Sequence, residues 1–403
     1  VTSRITALRP DPSILFFSGG SALNEIARAL PSYTNNSAHI LTPFDSGGSS
    51  RVLREAFGMP AVGDARSRLV ALAERSETGQ RAAHRLISYR LPKDAGADAL
   101  RHEFGLMCQG VHPLTRDVSI RLWPQLVRPL RLIADHMPAD LDLRGASVGN
   151  LMLTGLWLEH DCALQPALDA LAEFLGVRGQ VTVAADVNLH IGATLEDGRR
   201  VVGQRSLTGK EVRPLDCGLQ HLFLHDGHHN VPAHEVRIPL RNRQLIGGAR
   251  RIVYAPGSLF TSVIATLLPA GTGQAIAASS APKIYTPSLG ADPECLGLDL
   301  YGQVRALLDH LSKDASHAAP SDLVSHVLCD YSAPQEVLEQ IARDFGIIIV
   351  RRALATPSGA RYAPDAYLQN VLALGRRAHG PSLREVEFPE PVQSPLVRRA
   401  RSG

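Results

Sequence analysis

The stretch "FDSGGSSRVLREAFG" (Phe44 to Gly58) sets one acid, paired glycines and several serines between an apolar run and a helical pattern. Gly47 and Gly48 let a backbone approach an anion with no Cβ in the way, and Ser49 and Ser50 add hydroxyl donors at a helix start. Arg54, one turn on, either brings charge to a phosphate or lies on a solvated helix face. Asp45 has three readings: it holds a metal-bound water, accepts a hydroxyl proton, or closes an Asx turn. The chemistry this pattern suits is recognition of an oxyanion at a helix N-terminus. A second cluster, "HLFLHDGHHNVPAH", gathers His221, His225, His228, His229 and His234. On a helix the first, second and third of these would share a face suited to zinc. Asp226-Gly227 breaks such a helix and no Cys or Glu completes a metal spacing, so a solvated loop is expected.

Three strand-turn-helix units must position the oxyanion chemistry. In "ILFFSGGSALNEIARAL" the run Ile14–Phe17 reads as a strand buried on both faces, Ser18 to Gly20 as a turn, and Leu23, Ile26, Ala27 and Leu30 as a helix face stopped by Pro31. "AHILTPF" gives a second strand, and Val52, Leu53, Ala56 and Phe57 the helix after it, with Gly58 as C-cap. "RRIVYAPGSLFTSVIATLLP" repeats the plan, its turn being Pro256-Gly257-Ser258 and its helix ending at Pro269. Such units predict an α/β fold with a mostly parallel, Rossmann-like sheet, helices on both faces, and three helix N-termini along one sheet edge. None of the turns matches GxxxxGK[ST] or the full GxGxxG fingerprint, which argues against a P-loop hydrolase and an ordinary dinucleotide dehydrogenase. Neither flavin nor NAD is expected as a prosthetic group.

Composition narrows the classes further. A net charge of +3 and 5% aromatics give no case for nucleic acid as a partner. The five cysteines are scattered and form no CxxC pair, as in a reducing compartment. No apolar stretch reaches the ~18–20 residues of a membrane span, so a cytoplasmic protein with no membrane partner is expected. Residues 78–145 carry helical spacing and few strand signals, and read as an α-helical insertion between residues 1–77 and 146–300 of the Rossmann-like domain. Within the latter, "GNLMLTGLWLEH" reads as a buried helix opened by Gly149-Asn150, and Leu164 to Leu175 as an amphipathic helix. "VTVAADVNLHIGATLEDGRRVVGQ" reads as a hairpin turning at Asp197-Gly198. Residues 301–380 form an α-rich C-terminal region, where Ser332 and Gln335 read as a capping box and "IIIV" (347–350) as a short strand. Residues 381–403 read as a disordered tail.

Taken in order, "SGGSALNEIARAL", "FDSGGSSRVLREAFGMPAVGDARSRLVALAE", "GNLMLTGLW", "LEDGRRVVGQ" and "YAPGSLFTSVIATLL" resemble the family that joins 2-phospho-L-lactate transferase (CofD-like) to the gluconeogenesis factor. The resemblance covers about residues 13–300, less the insertion, and the Asp45–Leu72 block is closer to the gluconeogenesis-factor branch. It implies a Rossmann-like fold and a nucleotide-diphosphate small molecule as ligand. In one branch that ligand is a UDP-sugar bound without known turnover. In the other a phospholactyl group passes from a guanosine diphosphate carrier to a deazaflavin hydroxyl, with Mg2+.

Carried over by position, Gly19, Gly20 and Ser21 match the first ligand loop of the family, and Asp45, Gly47, Gly48, Ser49 and Ser50 the second. Gly63, Asp64 and Arg66 match a Gly-Asp-x-Arg element; Gly149-Asn150 and Gly257-Ser258 match the remaining ligand-facing turns. Ala22, Ser67 and the segment "YTPSLGADPE" depart from the family pattern, the last keeping Pro293 and Glu294. On this basis Asp45 and Asp64 are the candidate catalytic acids, Asp64 facing an acceptor or else paired with Arg66. Asn150 is an N-cap, a ligand donor, or both. The favoured expectation is a regulatory or metabolic nucleotide-sugar binder. The alternative is a transferase with Mg2+ on the diphosphate and Asp45 as base. A homodimer is allowed for.

Overall fold

Ile14–Ser18 (β1) is buried at every residue because it lies inside a parallel sheet with both faces covered. Its side chains alternate between two cores: Ile14 and Phe16 join one, Leu15 and Phe17 the other. The computed structural model describes residues 13–74, 78–208 and 215–374. The remaining strands are β2 (Ser37–Leu41), β3 (Gln180–Val183), β4 (His190–Leu195), β5 (Arg200–Val202), β6 (Leu219–His225), β7 (Asn230–Val231), β8 (Ile252–Tyr254), β9 (Lys283–Tyr285), β10 (His326–Asp330) and β11 (Ile348–Arg352). The main sheet has the order β11-β10-β9-β8-β1-β2-β3, with every pairing parallel. Chain order reverses between β1 and β8, so their carboxyl ends form the crevice where α/β proteins of this plan bind ligands.

One core packs the sheet against α1 (Asn24–Ala29), α3 (Gly63–Leu72), α4 (Thr78–Ser88), α5 (Ala97–Cys108), α7 (Trp123–His136), α8 (Val148–Glu159) and α9 (Leu164–Phe174). α2 (Gly48–Phe57) lies at the edge of this layer, and the short α6 (Pro113–Arg116) joins α5 to α7. The helical insertion thus shares the main core, with Leu86, Phe104, Leu130 and Ile133 buried in the same cluster as Val148 and Leu151 of α8. The second core lies under a four-stranded antiparallel sheet, β5-β4-β6-β7, and under the helices Leu240–Gly248 and Leu300–Ser312.

Several expectations need correction. The stretch read as one hairpin divides: its first residues form β3 of the parallel sheet, and only β4 and β5 pair about Gly198, whose φ is +84°. Ser332 and Gln335 make no capping box. The helix begins at Gln335 with Pro334 as N-cap, and Ser332 sits in the preceding turn with its amide on Asp330 Oδ1 at 3.3 Å. The short strand read at 347–350 is present as β11, but β10 beside it is not among the expected strands, and the two extend the parallel sheet. His221 and His225 lie on strand β6 rather than in a loop, with Gly227 in the turn to β7. Among the described residues no group of three metal-ligating side chains converges, at the histidines or elsewhere. The tail read as disordered lies outside the described residues.

Candidate functional site

The turn after β2 is built around its acid. Asp45 Oδ1 accepts the Gly47 amide at 3.0 Å, an Asx turn that aims the chain into α2. Gly48 follows with φ +51° and nothing within 4 Å of the place a Cβ would take. Among the described residues the amides of Gly48, Ser49 and Ser50 meet no protein acceptor, as the first turn of a helix dictates unless something caps it. Arg54 is buried, not solvated. It donates to Asp45 O at 3.0 Å, to Asn188 Oδ1 at 2.9 and 3.1 Å, and to Leu189 O at 2.7 Å, stapling the turn to the segment after β3. A second brace comes from the short helix after β5 (Gln204–Thr208), where the Arg205 amide donates to Ser46 Oγ and the Ser46 amide to Gln204 Oε1.

α3 joins this turn to the one after β1. A Cβ at Gly63 would stand 2.6 Å from Ser50 Oγ and 3.1 Å from Asp45 Oδ2, so only glycine lets α3 begin this close. Asp64 Oδ2 then accepts the Gly20 amide at 2.6 Å. Burial, and next the neighbouring Asp45 carboxylate, push the Asp64 pKa up to about 6 against the pull of the Gly20 amide, Arg68 and Arg66. Asp64 and Arg66 are not within ion-pair distance. Arg66 Nε donates to Asn150 Oδ1 at 3.2 Å, and Asn150 Nδ2 donates to Ser49 Oγ at 2.9 Å. Asn150 is therefore not the N-cap of α8; Ser147 fills that place and Asn150 links Arg66 to the start of α2. Gly149 faces inward, where a Cβ would meet Ile87 O at 2.6 Å, so its part is helix packing.

The turn after β8 joins the same edge, with the Cβ position of Gly257 3.6 Å from Ala22 Cβ beside Gly20 and Ser21. Its helix start differs from that of α2. Leu259–Ile264 is a π-helix running into Ala265–Leu267. Its first amides are taken: Leu259 by Asp292 Oδ2 at 2.9 Å, Phe260 and Thr261 by Glu294 Oε2 at 3.1 and 2.8 Å. Gly257 and Ser258 precede this closed start. Two cavities open along the edge. One of 450 Å³ lies against Gly48, Ser49 and the insertion; one of 390 Å³ lies beside Gly257, Tyr285, Ser288 and Gln303.

Sequence reasoning missed Arg68, Asn188 and Asp292, and noted Glu294 without its role in closing the third helix start. Arg68 is fully buried on α3 with Nη2 3.5 Å from Ser18 Oγ, and its Nε and Nη1 have no partner among the described residues. No local pattern marked it, because it continues the helix that carries Asp64.

Comparison with known proteins bears on the family and the fold. A relative from Nostoc sp. is 29% identical over 299 residues, 73% of this chain and 51% of its own length. The chain thus spans about half of that relative, and likewise half of one from Deinococcus radiodurans. The gluconeogenesis factor of Bacillus subtilis is 26% identical over 74% of this chain and 75% of its own. That of Listeria monocytogenes is 26% identical over 90% and 95%. A crystal structure of a UPF0052 family member from Bacillus halodurans shares the fold, with TM-score 0.66 at 21% identity over 90% of this chain and 99% of the other. Among the described residues no helix is long and apolar enough to cross a membrane. Residues 14–348 match the family model described as 2-phospho-L-lactate transferase CofD, and the chain belongs to that family.

Proposed function

We propose that the chain binds a nucleotide-diphosphate compound of the UDP-sugar kind along the carboxyl edge of its parallel sheet, as a regulatory or metabolic nucleotide-sugar binder. The observation that carries this reading is the uncapped start of α2. Its amides at Gly48, Ser49 and Ser50 have no protein acceptor among the described residues, and they stand beside an exposed glycine at the positive end of a ten-residue helix. Ser49 Oγ, already accepting from Asn150, keeps its own proton to donate. Thermal melting tests it. UDP- and GDP-compounds should raise the melting temperature where uridine and guanosine do not. Stabilisation of ~2.7 kcal/mol is expected at a hundredfold excess over Kd. Flat curves with every diphosphate would sink the reading.

A second reading, transfer of a phosphoester group from such a donor, is favoured by one observation. Asp45 and Asp64 both border Gly63, and the Asp64 carboxyl titrates at about 6, near the range useful to a general base. The pair also suits Mg2+, which commonly takes one or two carboxylates and completes its shell with phosphate oxygens and water. Asp45 and Asp64 would hold it, and the ion would supply neutralisation of the diphosphate charge. Asp45→Asn keeps the Asx turn and removes a charge. In a transferase it should bind ligand as tightly as wild type and lose ~10²–10⁴ in turnover. In a binder the same substitution should leave affinity unchanged.

A further inference from the structure

We propose that the cleft between the start of α2 and the helical insertion is a second anion site, taking a carboxylate or phosphate carried by the ligand beyond its diphosphate or by a second small molecule. The inference rests on the diphosphate reading above and gives the insertion a task. The cleft holds 450 Å³, within the ~300–1,000 Å³ range of small-molecule sites. Arg51, Arg90, Lys93 and Arg144 line it, against one acid, Asp142. Arg51 and Arg144 are already paired, with Glu55 at 3.1 Å and Asp142 at 2.9 Å. Arg90 and Lys93 have no carboxylate within ion-pair distance among the described residues, nor has Arg66 behind them.

The wall that bears these cations is fixed in place. Residues 89–92 run against 145–148 in strand-like pairing: Val148 N to Tyr89 O at 3.0 Å, Leu91 N to Ala146 O at 2.9 Å and Gly145 N to Pro92 O at 3.3 Å. The Arg90 guanidinium is oriented by Gly145 O at 3.2 Å, and the Lys93 stem lies over Gly145. The Arg90 charge also reaches the buried Arg66 behind it. Burial first, then the Arg90 charge, bring its pKa down to about 10. An anion seated between Arg90 and Lys93 would relieve that repulsion. The rest of the lining is aliphatic, with Val52, Leu53, Leu141 and Leu151, and lacks an aromatic face on which a base would stack. An acidic substituent on a saturated frame fits this lining better than a nucleobase does.

UDP-glucose and UDP-glucuronic acid differ by one carboxylate and provide the test, read as the ratio of their calorimetric affinities. Wild type should prefer UDP-glucuronic acid by tenfold or more, and Arg90→Ala/Lys93→Ala should bring that ratio near one. For a separate molecule, wild type saturated with UDP-glucose should melt higher on adding inorganic phosphate or citrate at constant ionic strength, and the double variant should not. A loss of either preference in the variant supports the site and names its source. Wild type that shows neither response, or a variant that keeps the response of wild type, overturns it. Should no nucleotide bind at all, phosphate stabilisation of wild type and not of the variant would keep the second site while the diphosphate reading fell.

Discussion

Two helix starts lie on one sheet edge, one after β2 and one after β8, and they are finished in opposite ways. The amides of Phe260 and Thr261 are closed by the buried carboxylate of Glu294, which also takes the Thr261 hydroxyl. The amides of Gly48 to Ser50 are left open, although Asp45 stands three residues ahead and spends its Oδ1 on the Gly47 amide instead. A helix start closed by its own carboxylate contributes stability; one left open forgoes that contribution and stays available to an external anion. The sheet edge thus carries one helix start closed by the protein itself and one left open, the one to which the proposed ligand is assigned.

The strongest way to break this contrast is Gly48→Val. The residue sits at φ +51°, where a β-branched side chain is strained and would stand over the open amides. Affinity for a UDP-compound should fall by at least about a hundredfold, or ~2.7 kcal/mol, in calorimetry. Binding within tenfold of wild type would show that the α2 start does not hold the diphosphate.

Glu294→Gln probes the closed start. Glutamine retains the shape and can still accept from both amides, but the charge-assisted bonds and the interaction with the helix dipole are lost. A destabilisation of about 2 kcal/mol is expected in urea unfolding, with affinity for the UDP-compound changed less than threefold. A gain in that affinity would mean that the two starts are interchangeable and that only the carboxylate keeps ligand from the second.

The smallest effect concerns pH. The folded Asp64 carboxyl is raised from 3.8 to about 6, so between those values the folded protein keeps a proton that the unfolded chain has released. Stability from this group is fully present below pH ~4 and is lost as pH rises through ~6, by about 1–2 kcal/mol once partial solvent access is allowed for. Asp64→Asn should flatten that slope in unfolding measured at a series of pH values. Parallel profiles for wild type and variant would remove Asp64 as the titrating group.

Much of this edge was legible in the sequence, because β1, β2 and β8 are apolar runs cut by glycine and serine before a 3.6-residue periodicity. β9 and β10 were not. Each is three to five residues long with three or four buried in a row, and so short a run looks the same in a strand and in a buried helix. The capping box at Ser332 failed because Pro334, with its fixed φ, holds the N-cap position instead. At the site, the local turn chemistry of Asp45 and Gly47-Gly48 could be read directly. The partnerships that decide what each turn does could not. Arg54 meets Asn188 from 134 residues away, and Thr261 meets Glu294 from 33. Nothing in either neighbourhood announces the pairing.

The brace at Ser46 has a consequence in time. Its hydrogen bond to Gln204 closes a span of 158 residues, which costs about 2.4 kcal/mol more chain entropy than a ten-residue loop. At ~5–20 residues per second of synthesis, the turn before α2 waits roughly 8–30 s for its partner to be made. During that interval β1, β2 and α3 can already pack, while the α2 start lacks both this tie and the Arg54 link to Asn188. The sheet edge can thus form early and the braced α2 start only late, and if that start is the proposed anion site, binding competence should appear only after the helix following β5 has docked.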